Sequence, residues 1–164
     1  MAILGLAFLM GIVSGLRTFT SLAFITWAAR LTWLPLDHTR LAFLASPITV
    51  WIVTAMAVGE LIGDKLPQTP SRTRFLPFFA RILSGSFCGV CLALSVATYQ
   101  PHHLAILLLG PLAGAGGSIL GTLGGASCRA VLAQAFGRDF PAAILEDASA
   151  IAIAAFCVFL RTRI

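Results

Sequence analysis

The chain has 164 residues, 59% of them hydrophobic and only 10% charged, with a mean hydropathy of +0.96. Soluble domains carry about 25% charged residues to cover their surface, so this composition excludes a water-facing globular domain and points to lipid as the solvent. The formal charge of +5 does not indicate a nucleic-acid partner, because the arginines are scattered along connections with no basic stripe interleaved with aromatics. Excess Lys and Arg is ordinary where basic loops hold one side of a membrane.

Spacing of the apolar runs predicts an all-α, polytopic membrane domain filling residues 1–164, with about five transmembrane helices of roughly 20 residues each. The first runs from Ala2 to Ala29 with Arg17 in its middle. Met1-Ala-Ile-Leu lacks a basic n-region and Arg17 interrupts the apolar run, so this stretch reads as a retained helix rather than a signal peptide. Arg30 and Trp33-Leu-Pro35 mark its exit, with tryptophan at interfacial depth. Residues 36–46 are too short and mixed to span, and are expected to form an interfacial or re-entrant half-helix. Pro47 opens the second span, which continues to Gly63; proline suits a first helical turn because its missing N–H costs nothing there.

The segment from Asp64 to Arg74 is the most polar, and Pro67 and Pro70 exclude a regular helix from it. The third span covers Pro77 to Thr98, Tyr99-Gln-Pro-His-His makes a turn, and the fourth span runs from Leu104 to Ala126. Gly137 to Pro141 is a further break, with Asp139 as expected N-cap and Pro141 in the first turn. The fifth span reaches Leu160, ahead of Arg161-Thr-Arg-Ile.

Lys65, Arg72, Arg74, Arg81, Arg129 and Arg138 fall on one side of this arrangement, against Arg30, Arg40, Arg161 and Arg163 on the other. That majority favours a cytoplasmic N-terminus and an outward C-terminus. Spans one and two, and spans four and five, each set a glycine-rich helix with an arginine before a helix holding two acids. A possible inverted repeat follows, of the kind that places transporter sites at the repeat interface.

Glycines four apart recur: Gly11 and Gly15, Gly59 and Gly63, Gly85 and Gly89, Gly110 and Gly114, then Gly117, Gly121 and Gly125. Such spacing puts small residues on one face and lets helix backbones approach. Gly11, Gly15, Gly59, Gly63, Gly117, Gly121 and Gly125 are therefore expected at helix–helix contacts, while the fourth span's glycines are equally able to line a narrow passage. Cys88, Cys91 and Cys157 lie in apolar spans and Cys128 at the end of one, which reads as small packing residues rather than a disulfide framework or redox pair.

Ionisable residues inside spans are the main signal, since a charge at the bilayer centre costs roughly 2.5–3.5 kcal/mol on insertion scales. Glu60 and Asp64 share a helical face, Glu146 and Asp147 lie early in the fifth span, and Arg17, Arg81 and Arg129 are within convergence distance. Two readings stand side by side: buried ion pairs that lock the bundle, or a site in which acids carry protons or bind cations and arginines hold anions. No H-E-x-x-H motif, phosphate-binding loop or nucleophile elbow is present, and His38, His102 and His103 fall in connections. No metal or other cofactor is implied, and an enzyme reading, that of a lipid-modifying intramembrane enzyme, would require an open polar cavity at headgroup depth with a convergent nucleophile and base.

Gly15-Leu-Arg-Thr-Phe-Thr-Ser-Leu, Gly59-Glu-Leu-Ile-Gly-Asp-Lys-Leu-Pro67 and Pro141-Ala-Ala-Ile-Leu-Glu-Asp-Ala together resemble a family of small bacterial integral membrane proteins catalogued as a domain of unknown function, the one numbered four-one-two-six. The resemblance covers nearly the whole chain, and Glu-x-x-x-Asp-Lys-x-Pro is its most specific element. It implies a helical fold of the bacterial inner membrane, with multiple passes, and transfers no activity. It singles out Arg17, Glu60, Asp64, Lys65, Glu146 and Asp147.

The expected function is a small transporter or channel for an ion or small polar solute. Glu60 is the expected titrating or cation-binding acid, Asp64 its neighbour and Arg17 the counter-charge, with Glu146 and Asp147 completing the site. So few helices enclose little by themselves, so a homo-oligomer, simplest a dimer, among membrane lipids is expected. The alternative is a structural, lipid- or partner-binding membrane subunit.

Overall fold

Arg17 interrupts what reads as one long apolar helix. In the computed structural model, which describes residues 2–65, 74–97 and 103–163, Arg17 takes an extended conformation (φ −143°, ψ 108°) between α1 (Ala2–Leu16) and α2 (Thr18–Arg30). The two pieces do not continue in line. Met10 shares a small cavity wall with Ile25 and Ala28, so α2 turns back beside α1 and the pair forms a hairpin with Arg17 at its tip. At 1.5 Å per residue the two arms are about 22 and 20 Å long. A continuous helix from Ala2 to Ala29, as the apolar run implied, would hold Arg17 on its flank. The break instead carries the guanidinium to where four other helices converge.

The remaining helices are α3 (Pro47–Gly63), α4 (Phe75–Ala97), α5 (His103–Phe136) and α6 (Asp139–Arg161). Their directions follow from which residues meet. Phe8 faces Gly117 and Ile12 faces Gly121, so α1 and α5 run parallel; Gly85 faces Gly114 and Gly89 faces Gly110, so α4 and α5 are antiparallel. Thr18 meets Glu60 and Trp27 meets Thr54, so α2 opposes α3. Arg17 meets Asp147 while Met10 shares a cavity wall with Cys157 and Val158, so α6 opposes α1 and therefore α5. The six helices therefore alternate, and the tip of the hairpin, the end of α3, the starts of α4 and α6 and the end of α5 gather at one end. Ala2 and Arg161 both lie at the other end, rather than on opposite sides as a five-span reading required.

Three helices among the described residues are long and apolar enough to cross a membrane, Phe75–Val96, Leu104–Phe136 and Asp139–Arg161; α1 and α3 are shorter apolar helices. Large apolar side chains face outward on them: Ile48, Trp51, Phe75, Leu76, Leu104, Leu108 and Leu112 are 64–82% exposed. Polar side chains face inward, with Ser14, Arg17, Thr20, Ser21, Arg81, Ser84 and Thr122 all buried. An apolar exterior of this extent is a lipid-type surface. Residues 36–46 hold only a short 3₁₀ turn at Ala42–Ala45. Leu34, Leu36 and Leu44 anchor this connection in the core, so the half-helix expected there is absent; the turning-back element is the α1–α2 hairpin. Arg72 and the turn from Tyr99 to His102 lie outside the described residues.

Glycine sets the spacing of the central three helices. A Cβ on Gly11 would fall onto the Gly114 carbonyl, on Gly15 onto the Ser118 carbonyl, on Gly117 onto the Phe8 carbonyl and on Gly121 onto the Ile12 carbonyl. Across the other side of α5, Gly85 and Gly89 meet Gly114 and Gly110 in the same way. Backbone-to-backbone approach of this kind replaces side-chain interdigitation where lipid supplies no hydrophobic driving force. Gly59 and Gly63 depart from the expected packing role: among the described residues nothing lies within 4 Å of a Cβ placed on either. Gly125 is half-buried and lines a side cavity between α1, α5 and α6. Cys88, Cys91 and Cys157 are buried free thiols and Cys128 is exposed.

Gly114→Ala forces a methyl against the Gly85 backbone and should destabilise the protein by at least the ~1–3 kcal/mol typical of overpacking. Gly59→Ala, in open space on a helix, should be neutral or stabilising by up to ~1 kcal/mol. Thermal unfolding of the two variants in detergent, followed by circular dichroism, checks the contrast.

Candidate functional site

A helix that stops inside an apolar environment leaves carbonyls at its end and amides at the start of the next piece, and each needs a partner. At the Arg17 break the partners are side chains from other helices. Glu60 of α3 accepts from both Thr18 N and Phe19 N, one through each carboxylate oxygen, at 2.8 Å. This places a negative charge on the positive end of α2. Arg81 of α4 donates from Nη1 to the carbonyls of Gly15 (2.9 Å) and Leu16 (2.7 Å), the last of α1. Thr122 Oγ1 of α5 is a second donor within reach of Gly15 O at 3.2 Å, shared with the Ser118 carbonyl of its own helix at 2.8 Å. Ser84 donates to Thr18 O and Ser14 donates to Arg81 O, each at 3.0 Å. Arg81 Nη2 and Glu60 Oε1 stand 3.7 Å apart, so the two groups that close the break also face each other.

The Arg17 side chain itself is fully buried. Its Nε donates to Asp147 Oδ1 of α6 at 2.6 Å and its Nη1 to Asp64 Oδ2 at the end of α3. Nη2 lies 2.6 Å from the same Asp147 oxygen without hydrogen-bonding geometry, and 4.0 Å from Glu146 Oε2. Lys65 Nζ takes the second Asp147 oxygen at 2.7 Å and the Leu61 carbonyl at 3.0 Å. Beyond these, Arg129 of α5 bridges outward: Nη1 is 3.4 Å from Glu146 Oε2, and Nε and Nη2 grip Asp139 at 2.9 and 2.6 Å. Arg129 Nη2 also reaches the Asp64 carbonyl at 3.4 Å.

Arg17, Glu60, Asp64, Lys65, Glu146 and Asp147 thus fall within one connected network, but with different pairings from those the sequence suggested. Glu60 does not pair with Arg17; its oxygens are committed to the α2 amides and Arg81. Arg17 pairs with Asp64 and Asp147. Asp139 was expected to cap α6, yet Arg138 holds the cap position and the Asp139 carboxylate serves Arg129 instead. Arg81 and Arg129, counted with the basic connections for orientation and also expected to converge with the acids, act within the network. Arg81 carried a readable signal, since it lies inside the apolar α4 two turns from Phe75 rather than in the connection. The donors Thr122 and Ser84 carried none, because hydroxyls are common on such helices.

Five of the chain's six acidic residues stand in this network, against Arg17, Lys65, Arg81 and Arg129. Each carboxylate is already on a cation or an amide, and among the described residues no three His, Cys, Asp or Glu side chains gather as metal ligands. The network is reachable from one flank. A cavity of about 440 Å³ between α1, α5 and α6 is lined by Gly121, Gly124, Gly125, Arg129, Glu146 and Ser149. Glycine keeps that wall thin, so Glu146 and Arg129 form a polar floor to an otherwise apolar cavity.

Removing one partner of a buried pair strands the other charge at a cost of about 3–5 kcal/mol. Arg17→Gln should fall in that range by thermal unfolding in detergent, and Arg17→Gln combined with Asp147→Asn should be more stable than Arg17→Gln alone. A double variant no better than the single one would show that the pairing is not the stabilising term.

No curated protein and no solved structure matches the chain. One family model does, over residues 4–161, and it takes in all of the helices that build the network. The chain belongs to the family described as Domain of unknown function (DUF4126).

Proposed function

We propose that the chain is a multi-pass protein of the bacterial inner membrane that moves an ion or small polar solute, with the α1–α2 hairpin as the mobile element. The observation that carries this reading is the position of Arg17: a fully buried guanidinium at the tip of a broken helix, held by two acids from two other helices. Broken helices whose ends point at charged groups are how membrane transporters build polar sites without exposing backbone to lipid. The ion-paired arrangement is then the closed one. Protonation of Asp147 or Asp64, or a cation arriving beside them, weakens the hold on Arg17 and frees the tip.

Each residue takes a role from its contacts. Asp64 and Asp147 are the acids that exchange partners, Arg17 is the counter-charge, and Lys65 keeps Asp147 occupied from the other side. Glu60 and Arg81 are positioning residues that hold the two half-helix ends. Glu146 and Arg129 line the side cavity through which a solute reaches the cluster. Lys65, Arg81 and Arg129 are committed to the network, so the basic residues left in the connections favour neither end as the cytoplasmic one; Ala2 and Arg161 share one side. A dimer would enclose the path more fully than one copy does.

One observation favours a second reading, a structural or partner-binding subunit: the charges of the cluster already satisfy one another, as in a lock. The two readings separate in reconstituted liposomes. Under imposed ion and pH gradients the wild type should carry charge, and Asp147→Asn should lose at least 90% of it (about tenfold, equivalent to ~1.4 kcal/mol) while remaining monodisperse and helical. No current from the wild type across a broad ion panel, together with an Asp147→Asn variant that unfolds in detergent, would establish the lock instead.

A further inference from the structure

Away from the glycine seam, α2, α3 and α6 leave between them a groove of about 760 Å³. Ala57 and Ala155 contribute small side chains to it, and Trp27, Trp33 and Phe159 contribute large ones. Along α6 it runs from Ile151 to Thr162, about 16 Å at the helical rise. That is close to half of a hydrocarbon core of about 30 Å, the depth of one leaflet. The groove is apolar for nearly all its length and changes character only at the end away from the ion-pair cluster.

There Trp33 and Thr162 form the mouth, and each has a cation close in sequence, Arg30 at the end of α2 and Arg163 directly after Thr162. Both arginines are exposed, and among the described residues neither makes an ion pair. Arg163 sits over the ring of Phe159, a groove residue, at 5.2 Å from its centroid. Asp37, the acid on this end, is exposed and pairs with neither. A leaflet-length apolar slot with tryptophan in its lining, Arg163 over one lining ring and Arg30 three residues from Trp33 has the polarity of an anionic amphiphile turned inside out.

We propose that this groove is a binding site for an anionic phospholipid, its acyl chains lying along α2, α3 and α6 and its phosphate held by Arg30 and Arg163. Guanidinium groups suit this task because they bind phosphate oxygens bidentately, and interfacial tryptophan sits at headgroup depth. A second copy of the chain is a poorer occupant. A two-fold axis along the helices would bring Arg30 and Arg163 of both copies to the same level, setting like charges together. The site is separate from the Arg17 cluster and stands whether or not the protein transports anything.

Trp27 and Trp33 line the groove and report on it; Trp51, edge-on against Trp27 at 5.7 Å between centroids but facing outward, is replaced by Phe in every sample. The full chain is reconstituted in phosphatidylcholine vesicles containing a small fraction of phosphatidylglycerol with brominated chains, or the same fraction of brominated phosphatidylcholine. Brominated phosphatidylglycerol should quench the tryptophans at mole fractions where brominated phosphatidylcholine does not. Arg30→Gln and Arg163→Gln, both surface changes, should each lower that preference about five-fold, and high salt should lower it in the chain that keeps both arginines. Equal quenching by the two lipids, or a preference unmoved by the arginine changes and by salt, overturns the proposal. So does tryptophan fluorescence that resists both lipids while energy transfer between labelled copies rises with protein-to-lipid ratio, because a second copy then fills the groove.

Discussion

The interruption of one helix at Arg17 is the constraint on which the rest of the molecule depends. In a medium without water, a helix end costs several kcal/mol for each unsatisfied backbone group. The break is therefore possible only because Glu60 supplies two acceptor oxygens to α2 and because Arg81 and Thr122 supply donors to α1. Glu60 and Arg81 are themselves charges that need shelter, and each finds part of it in the backbone it serves. The broken helix and the buried charges are thus mutually required. Neither would be tolerable alone.

This arrangement fixes where the other helices go. α3 must bring its last turn to the start of α2, and α4 must bring its second turn to the end of α1. α5 is drawn against α1 by Thr122 and by the glycine seam, whose carbonyl contacts leave no room for side chains. α6 then completes the ring by presenting Asp147 to Arg17. The glycines and the charges do different work. The glycines set the distance between α1, α4 and α5, and the charges set their register at one end.

The acids divide in the same way. Glu60 is tied to backbone and has little freedom to change partners without opening the break. Asp64 and Asp147 are tied to side chains, which exchange partners far more readily. A site that needs both a fixed frame and a movable charge is consistent with that division, whether its use is passage of a solute or closure of a bundle. The apolar groove on the opposite flank belongs to neither task, and its exposed arginines lie at the end where the charged network is absent.

Composition pointed to lipid as the solvent, because a 10% charged sequence cannot cover a water-facing surface, and apolar runs of about 20 residues pointed to helices. The segments Gly15 to Leu22, Gly59 to Pro67 and Pro141 to Ala148 marked both the family and the residues that meet at the cluster. Their i, i+4 spacing and intramembrane charge were visible without a fold. Three things were not visible. Arg17 interrupts the apolar run as a charge, but nothing local marks it as a helix end, because helix propensity does not register that distant side chains can satisfy the severed backbone. The pairing of Arg17 with Asp147 rather than with Glu60 depends on which way α2 turns, a choice made by contacts more than forty residues apart. Gly59, with open space around it among the described residues, has the same four-residue spacing to its partner glycine as Gly11 has to Gly15 in the seam. Spacing places residues on one side of a helix, but only the packed bundle decides which sides have a neighbour.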